Sequence, residues 1–271
     1  MVAMKGRVLI VAGSDSGGGA GIQADIKAVT ALGGFAMTAI TALTAQNTQG
    51  VHGIHDVPAD FVARQISLVL DDLGADCIKI GMLHRPDIIE AVVETLAEKA
   101  KGVPIVADPV MVAKGGHALL AEAAEAALKD KLIPAATLIT PNLPEAEVLT
   151  GYRIRTPDDM KTALGGLVDI GAKGILLKGG HLEGNDIVDL LRTPDGKVLS
   201  YKDKRIDTPN THGTGCTLAS AVACGIAQGL GMVKAVARAR KYVRRAIETN
   251  PGFGTGHGPL NHAVTVEPFE V

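Results

Sequence analysis

Tryptophan is absent from the chain, and aromatic residues make up only 3% of it. Base-stacking platforms for single-stranded nucleic acid need those rings, so that class is excluded. A basic excess is missing too: 27 Lys and Arg stand against 29 Asp and Glu, a formal net charge of -2. Nucleic-acid binders carry a surplus of positive charge, so no nucleic-acid partner is expected. No apolar run is long enough to cross a bilayer, and Met1 to Arg7 leads straight into a strand without a secretory pattern. No membrane partner is expected either. The three cysteines, Cys77, Cys216 and Cys224, form neither a CxxC pair nor a disulfide framework. That usage suits a reducing compartment and points to the cytoplasm. No linker, low-complexity tract or internal repeat divides the 271 residues, so one domain spanning 1–271 is expected.

What the chain does have is 46% apolar and 21% charged residues, the balance of a globular protein with one substantial core. Short apolar runs alternate with helical patterns. Strands are predicted over 7–12, 36–45, 75–81, 103–107, 137–140 and 174–177. Helices are predicted over 22–32, 59–73, from Pro86 onward, near 121–131, over 158–170, 216–228 and 233–248, with Pro86 at a favoured first-turn position. In the second helix Phe61, Ile66, Val69, Leu70 and Leu73 are expected to face inward. Lys114-Gly115-Gly116-His117 reads as a flexible segment. The rhythm breaks at Ile187–Leu191 and Val198–Lys204, which flank Thr193-Pro194-Asp195-Gly196 and read as a hairpin with Asp-Gly turn chemistry. The expected fold is therefore α/β, with three α/β/α layers, a mainly parallel central sheet, helices on both faces and an antiparallel edge hairpin.

In open α/β sheets, ligands bind beyond the carboxyl ends of the strands. Those ends carry Gly13, Gln46, Gly81-Met82, Asp108, Asn142 with Glu145, and Lys178. The stretch Thr211-His212-Gly213-Thr214-Gly215-Cys216 opens a small-residue helix as a glycine turn, a ready anion site. Cys216, in that helix's first turn, is expected to have a lowered thiol pKa. Phosphoryl transfer needs N–H donors and positive charge on the moving group, a divalent cation, and a positioner for the attacking hydroxyl. Gly213, Thr214, Gly215 and Cys216 could supply donors, Lys178 charge, and Asp108 and Glu145 a partly hydrated Mg²⁺. No P-loop is present, because the only Gly-Lys pair, Gly196-Lys197, continues with Val in the hairpin. Gly19-x-Gly21-x-x-Ala24 matches a dinucleotide fingerprint, but the second strand ends in Gln46-Asn47 instead of the acid that grips a ribose. An NAD-dependent dehydrogenase is set aside on that ground. Lys114, His117, His181 and His212 lack a zinc-binding spacing.

Read together, several motifs resemble the ribokinase-like superfamily, and within it the hydroxymethylpyrimidine and phosphomethylpyrimidine kinases of thiamine biosynthesis. They are Ala12 through Asp25, Thr41 through Asn47, Lys79-Ile80-Gly81-Met82-Leu83, Asp108-Pro109-Val110-Met111-Val112, Thr140 through Ala146, Leu177 through His181, and the Thr211–Ala221 stretch. The resemblance runs essentially end to end. It implies ATP and Mg²⁺, a small pyrimidine substrate and a homodimer. It places Gly13, Asp25, Gln46 and Met82 around the pyrimidine, and Asp108 and Glu145 at the metal. Lys178, with Asn142 and Thr211, would meet ATP, and Gly213 to Cys216 would form the anion hole. Where sugar kinases of the superfamily carry an Asp base, this chain has Cys216, a departure shared by the pyrimidine branch. Some members bear a further C-terminal thiamine-related domain, which a chain ending at Val271 is not expected to have. A pyridoxine or pyridoxal kinase is the alternative on the same scaffold, and a non-catalytic pyrimidine-binding protein is a third reading.

Overall fold

A computed structural model describes residues 4–111, 119–121 and 123–267. The Lys114–His117 segment and Val112 lie outside the described residues. The chain opens with β1 (Arg7–Asp15), whose Val8 to Val11 are fully buried, each hydrophobic side chain contributing about 1.5–3 kcal/mol by leaving water. Helix α1 (Gly21–Ala31) returns to β2 (Phe35–Asn47), and β3 (Gly50–Asp56) folds back against it. Then come α2 (Ala59–Asp72), β4 (Cys77–Ile80), α3 (Pro86–Lys99, with its proline in the first turn) and β5 (Ile105–Ala107). A helical run follows as α4 (Ala124–Ala127), a π-wound turn (Leu128–Leu132) and α5 (Ile133–Ala135). The second half holds β6 (Leu138–Ile139), α6 (Leu143–Thr150), α7 (Pro157–Asp169), β7 (Gly174–Leu177), β8 (Asp186–Arg192), β9 (Val198–Lys204), α8 (Thr214–Ala227) and α9 (Met232–Glu248).

The strands form one nine-stranded sheet in the order β3-β2-β1-β4-β5-β6-β7-β8-β9. Pairs from β2 through β7 are parallel, and β2–β3, β7–β8 and β8–β9 are antiparallel. The expected hairpin is there. A second antiparallel element, β3, caps the opposite edge, where the sequence reading had no strand.

Alternation along the strands sorts the core into two halves. Leu9, Val11, Ile78, Ile80, Ile139 and Ile175 point to the side covered by α2–α7. Val8, Ile10, Cys77, Val106, Leu138 and Leu176 point to the side covered by α1, α8 and α9. Strands buried on both faces read as continuous apolar runs, which is why they were legible. In α2, Val62 and Ile66 are buried and Val69 and Leu70 pack half-buried against the core as expected, whereas Phe61 and Leu73, expected inside, are exposed.

The chain runs outward from β1 to β2, then returns past β1 to begin β4, so the sheet order reverses between β1 and β4. A crevice opens beyond the carboxyl ends at such a reversal. The β1 register against β2 shifts between Ala12, paired with Ile40, and Ser14, paired with Leu43, so the extra residue lies in β2 and Gly13 stands alone opposite Thr41 and Ala42.

Candidate active site

The crevice is a cavity of about 820 Å³ above the strand ends. Gly13, Gln46, Met82, Asp108, Asn142, Glu145, Lys178, Thr211 and Gly213 through Cys216 all line it. Gly13 and Met82 meet across the reversal, where a Cβ on Gly13 would stand 2.8 Å from Met82 Cε. Asp25 does not line the cavity, which corrects the expectation for this residue. Its side chain is fully buried, with Oδ2 2.7 Å from Lys79 Nζ and Oδ1 accepting from Ser220 Oγ at 2.6 Å. Both oxygens are spent inside the protein.

Lys79 is the residue that sequence reasoning passed over. It interrupts the apolar run of β4, is fully buried, and its Nζ reaches the cavity floor beside Gly81. Although burial opposes its charge, the Asp25 and Asp108 carboxylates hold the ammonium protonated. A buried lysine in a short strand was the available signal, since such a residue is almost never fully buried unless paired.

The charged end of the cavity is built on three elements. Asp108 follows β5, and its Oδ1 accepts from Lys178 Nζ at 2.9 Å and from Thr140 Oγ1 at 2.8 Å. Burial resists that carboxylate, but Lys178 and Lys79 outweigh it and keep the pKa below its usual value. Glu145 sits in the first turn of α6 in a capping box: Asn142 N donates to Glu145 Oε2 at 2.8 Å, and Glu145 N donates to Asn142 Oδ1 at 2.9 Å. Burial pushes its carboxyl up to about 7; Lys178 pulls downward and the neighbouring Asp108 charge adds to the rise.

Helix α8 brings the glycine turn. Gly213, its N-cap, has φ 79° and no side chain caps the first turn. Thr214 N donates back to Thr211 O at 3.3 Å, and the turn lines the cavity with the positive end of the helix dipole. A Cβ on Gly215 would lie 3.2 Å from Asp108 Oδ2 and 3.3 Å from Lys178 Nζ, so the turn abuts the charged pair directly. The expected lowering of the Cys216 pKa is overturned. Burial pushes the thiol up to about 11, despite the pull of Lys79 and a hydrogen bond from the backbone N–H of Gly21. Desolvation outweighs the helix start.

A glycine-opened helix start, a lysine and two carboxylates thus share one cavity with Gly13 and Met82. Comparison with known proteins gives that arrangement a family. The model of the phosphomethylpyrimidine kinase family matches residues 15–261. The chain belongs to this family. It is 50% identical over 264 residues to the thiamine biosynthesis bifunctional protein of Geobacter sulfurreducens, spanning 97% of this chain and 53% of that protein, about half its length. It is 48% identical over 258 residues to the hydroxymethylpyrimidine/phosphomethylpyrimidine kinase of Bacillus subtilis, covering 94% of each. An ADP complex of Bacillus subtilis pyridoxal kinase superposes with a TM-score of 0.87 at 34% identity, over 96% of this chain and 98% of that one. The fold is ribokinase-like, and the phosphomethylpyrimidine kinase family makes the chain a kinase. Among the described residues, no helix is long and apolar enough to cross a membrane.

Proposed function

We propose that the protein is an ATP-dependent kinase of 4-amino-5-hydroxymethyl-2-methylpyrimidine and of its monophosphate, giving the pyrimidine pyrophosphate used for thiamine. The observation that carries this reading is the abutment of Gly215 on the Asp108–Lys178 pair in a cavity that Gln46, Met82 and Gly13 also line. The ring would lie against Gly13, Gln46 and Met82, with its hydroxymethyl group toward Cys216. ATP would place its phosphates by Lys178, Asn142 and Thr211. The substrate oxygen forms the new bond to the γ-phosphorus as the bond to the leaving ADP oxygen breaks; the alcohol's proton passes to an oxygen of the transferred phosphoryl group, and the N–H groups of Gly213, Gly215 and Cys216 hold the charge on the moving group.

A thiol with a pKa near 11 is protonated at neutral pH, so Cys216 contributes its backbone donor and a weak S–H, and no resting thiolate. The monophosphate needs no base, because its phosphate oxygen is already ionised.

Asp108 and Glu145 fit a Mg²⁺ ion. Among the described residues no group of three or more His, Cys, Asp or Glu could hold a metal alone, and Mg²⁺ is typically held by one or two carboxylates, waters and substrate phosphates. When bound, it would neutralise charge on the phosphate oxygens. The same reading takes the chain as one kinase domain working in the cytoplasm as a homodimer.

ADP release measured with the aminopyrimidine alcohol and with pyridoxine side by side tests the substrate. Preference for the aminopyrimidine is expected. A preference for pyridoxine would make the protein a pyridoxine kinase, which the pyridoxal kinase likeness keeps in view.

A further inference from the structure

The placement of Lys178 depends on how β7 ends. The antiparallel ladder of β7 with β8 runs through Ile175–Arg192, Leu176–Leu191 and Leu177–Leu190 and goes no further. Lys178 N donates to Pro141 O at 2.9 Å, on the β6 side, and the residue bridges to Asn142. Gly179 then passes so close to β8 that a Cβ on it would lie 1.9 Å from Val188 O. Its own N–H goes to a side chain, with Asp189 Oδ1 accepting at 2.9 Å.

Asp189 is only 6% exposed and shares its face of the sheet with Leu191, Leu176 and Leu199. A leucine there would serve packing as well, whereas a buried carboxylate carries a desolvation penalty. The carboxylate is held from α9: Oδ2 pairs with Arg240 Nη1, and Arg240 Nη2 donates to Asp203 Oδ2 on β9. The guanidinium carbon also stands 5.1 Å from the centre of the Tyr201 ring, at the β9 position paired with Asp189. One carboxylate oxygen therefore faces a fixed guanidinium, and the other faces the first N–H after Lys178.

Beyond Gly179 the loop has a separate anchor. Arg205 donates to Gly184 O at 3.0 Å, Gly180 O at 2.9 Å and Leu182 O at 2.6 Å. Loss of the Asp189 carboxylate thus frees the backbone beside Lys178 while the rest of the loop stays attached.

We propose that Asp189 is a positioning residue for nucleotide binding: oriented by Arg240, it holds the Gly179 N–H and so fixes where Lys178 stands in the cavity. The role deepens the kinase reading above and rests on Lys178 meeting ATP.

The test titrates each protein with Mg²⁺ and a non-hydrolysable ATP analogue in a calorimeter. Asp189→Leu suits the leucine face and should melt close to wild type, since replacing a buried charge pair by apolar packing is often neutral. It should weaken the analogue by about tenfold and leave KM for the pyrimidine unchanged in the ADP-release assay. Asp189→Asn, whose amide oxygen can still accept from Gly179 N, should recover most of that loss. Lys178→Ala alone should weaken the analogue by about 30-fold. In the Lys178→Ala background, Asp189→Leu should cost less than about twofold more, because the lysine it places is gone. Independent losses multiplying to about 300-fold, or full affinity in Asp189→Leu, would overturn the positioning role. Should Asp189→Leu not fold, Asp189→Ala enters the same cycle with the same expectations. Unchanged affinity in Lys178→Ala would instead remove the placement of ATP at Lys178, and the positioning role with it.

Discussion

Cys216 and Glu145 both have pKa values moved by burial, and each shift can be measured. A thiol at about 11 should react with iodoacetamide slowly at pH 7.5, with a rate rising about tenfold per pH unit up to that value. Cys77 and Cys224 are fully buried, so labelling followed by mass spectrometry reads Cys216. A rate that levels off below pH 8 would restore a low-pKa thiolate. The sequence reading favoured that thiolate because a helix start is visible in residues, whereas desolvation is a property of everything packed around them. For Glu145, the folded pKa of about 7 lies above its ordinary 4.5, so between those values the folded state binds more protons than the unfolded one. Its contribution to stability is present at acid pH and is lost as pH rises through that window. Glu145→Gln keeps the capping box and should be more stable than wild type at pH 8 by about 1–3 kcal/mol, with little difference at pH 5. Urea denaturation of the ligand-free protein at both pH values gives the comparison, and parallel pH profiles would refute it.

Among the elements, the turn before α8 is the one where backbone geometry decides. Gly213→Ala adds a Cβ at φ 79° and 1.8 Å from Gly19 O, so the two loops must part. Turnover should fall by 10²-fold or more, the scale of misplacing a binding group by about an ångström. Gly151→Ala is the matched control. Its φ is 74°, but a Cβ there meets nothing within 4 Å, so it should cost about 1 kcal/mol in stability and leave kcat unchanged. Equal kinetics for the two variants would show that left-handed backbone strain alone, and not loop contact, matters. The same contrast marks what could be read from residues. The glycine turn, the apolar strands and the Asp-Gly hairpin announce themselves through local chemistry. β3 did not, because Gly-Val-His-Gly-Ile-His-Asp is polar and has only Val51 buried. Asp25 was placed at the ring by its motif, and only tertiary packing shows its oxygens taken by Lys79 and Ser220. His212 was weighed as a metal ligand, since its partners Asp15 and Gln46 lie 197 and 166 residues away.

At the scale of the whole molecule, α2 leaves Phe61 and Leu68 exposed seven residues apart on one stripe, 53% and 62% accessible. The proposed homodimer would cover that face. Phe61→Glu with Leu68→Glu should convert a dimer to a monomer in sedimentation velocity, without disturbing the cavity on the far side of the strand ends. A wild-type monomer at micromolar concentration would remove the homodimer from the reading.

The hydrogen bond from Ser220 to Asp25 joins residues 195 positions apart and has a consequence for synthesis. A ribosome delivers β1, α1 and β4 long before α8, so the Asp25–Lys79 pair must wait with one carboxylate oxygen unpartnered and α1 without its neighbour. Nascent chains halted before residue 214 should therefore lack a finished core on the α1 side, whatever the state of the other layer. The glycine turn that lines the cavity arrives with the same segment. Catalytic competence and completion of that layer are in this way a single late event in the life of the chain.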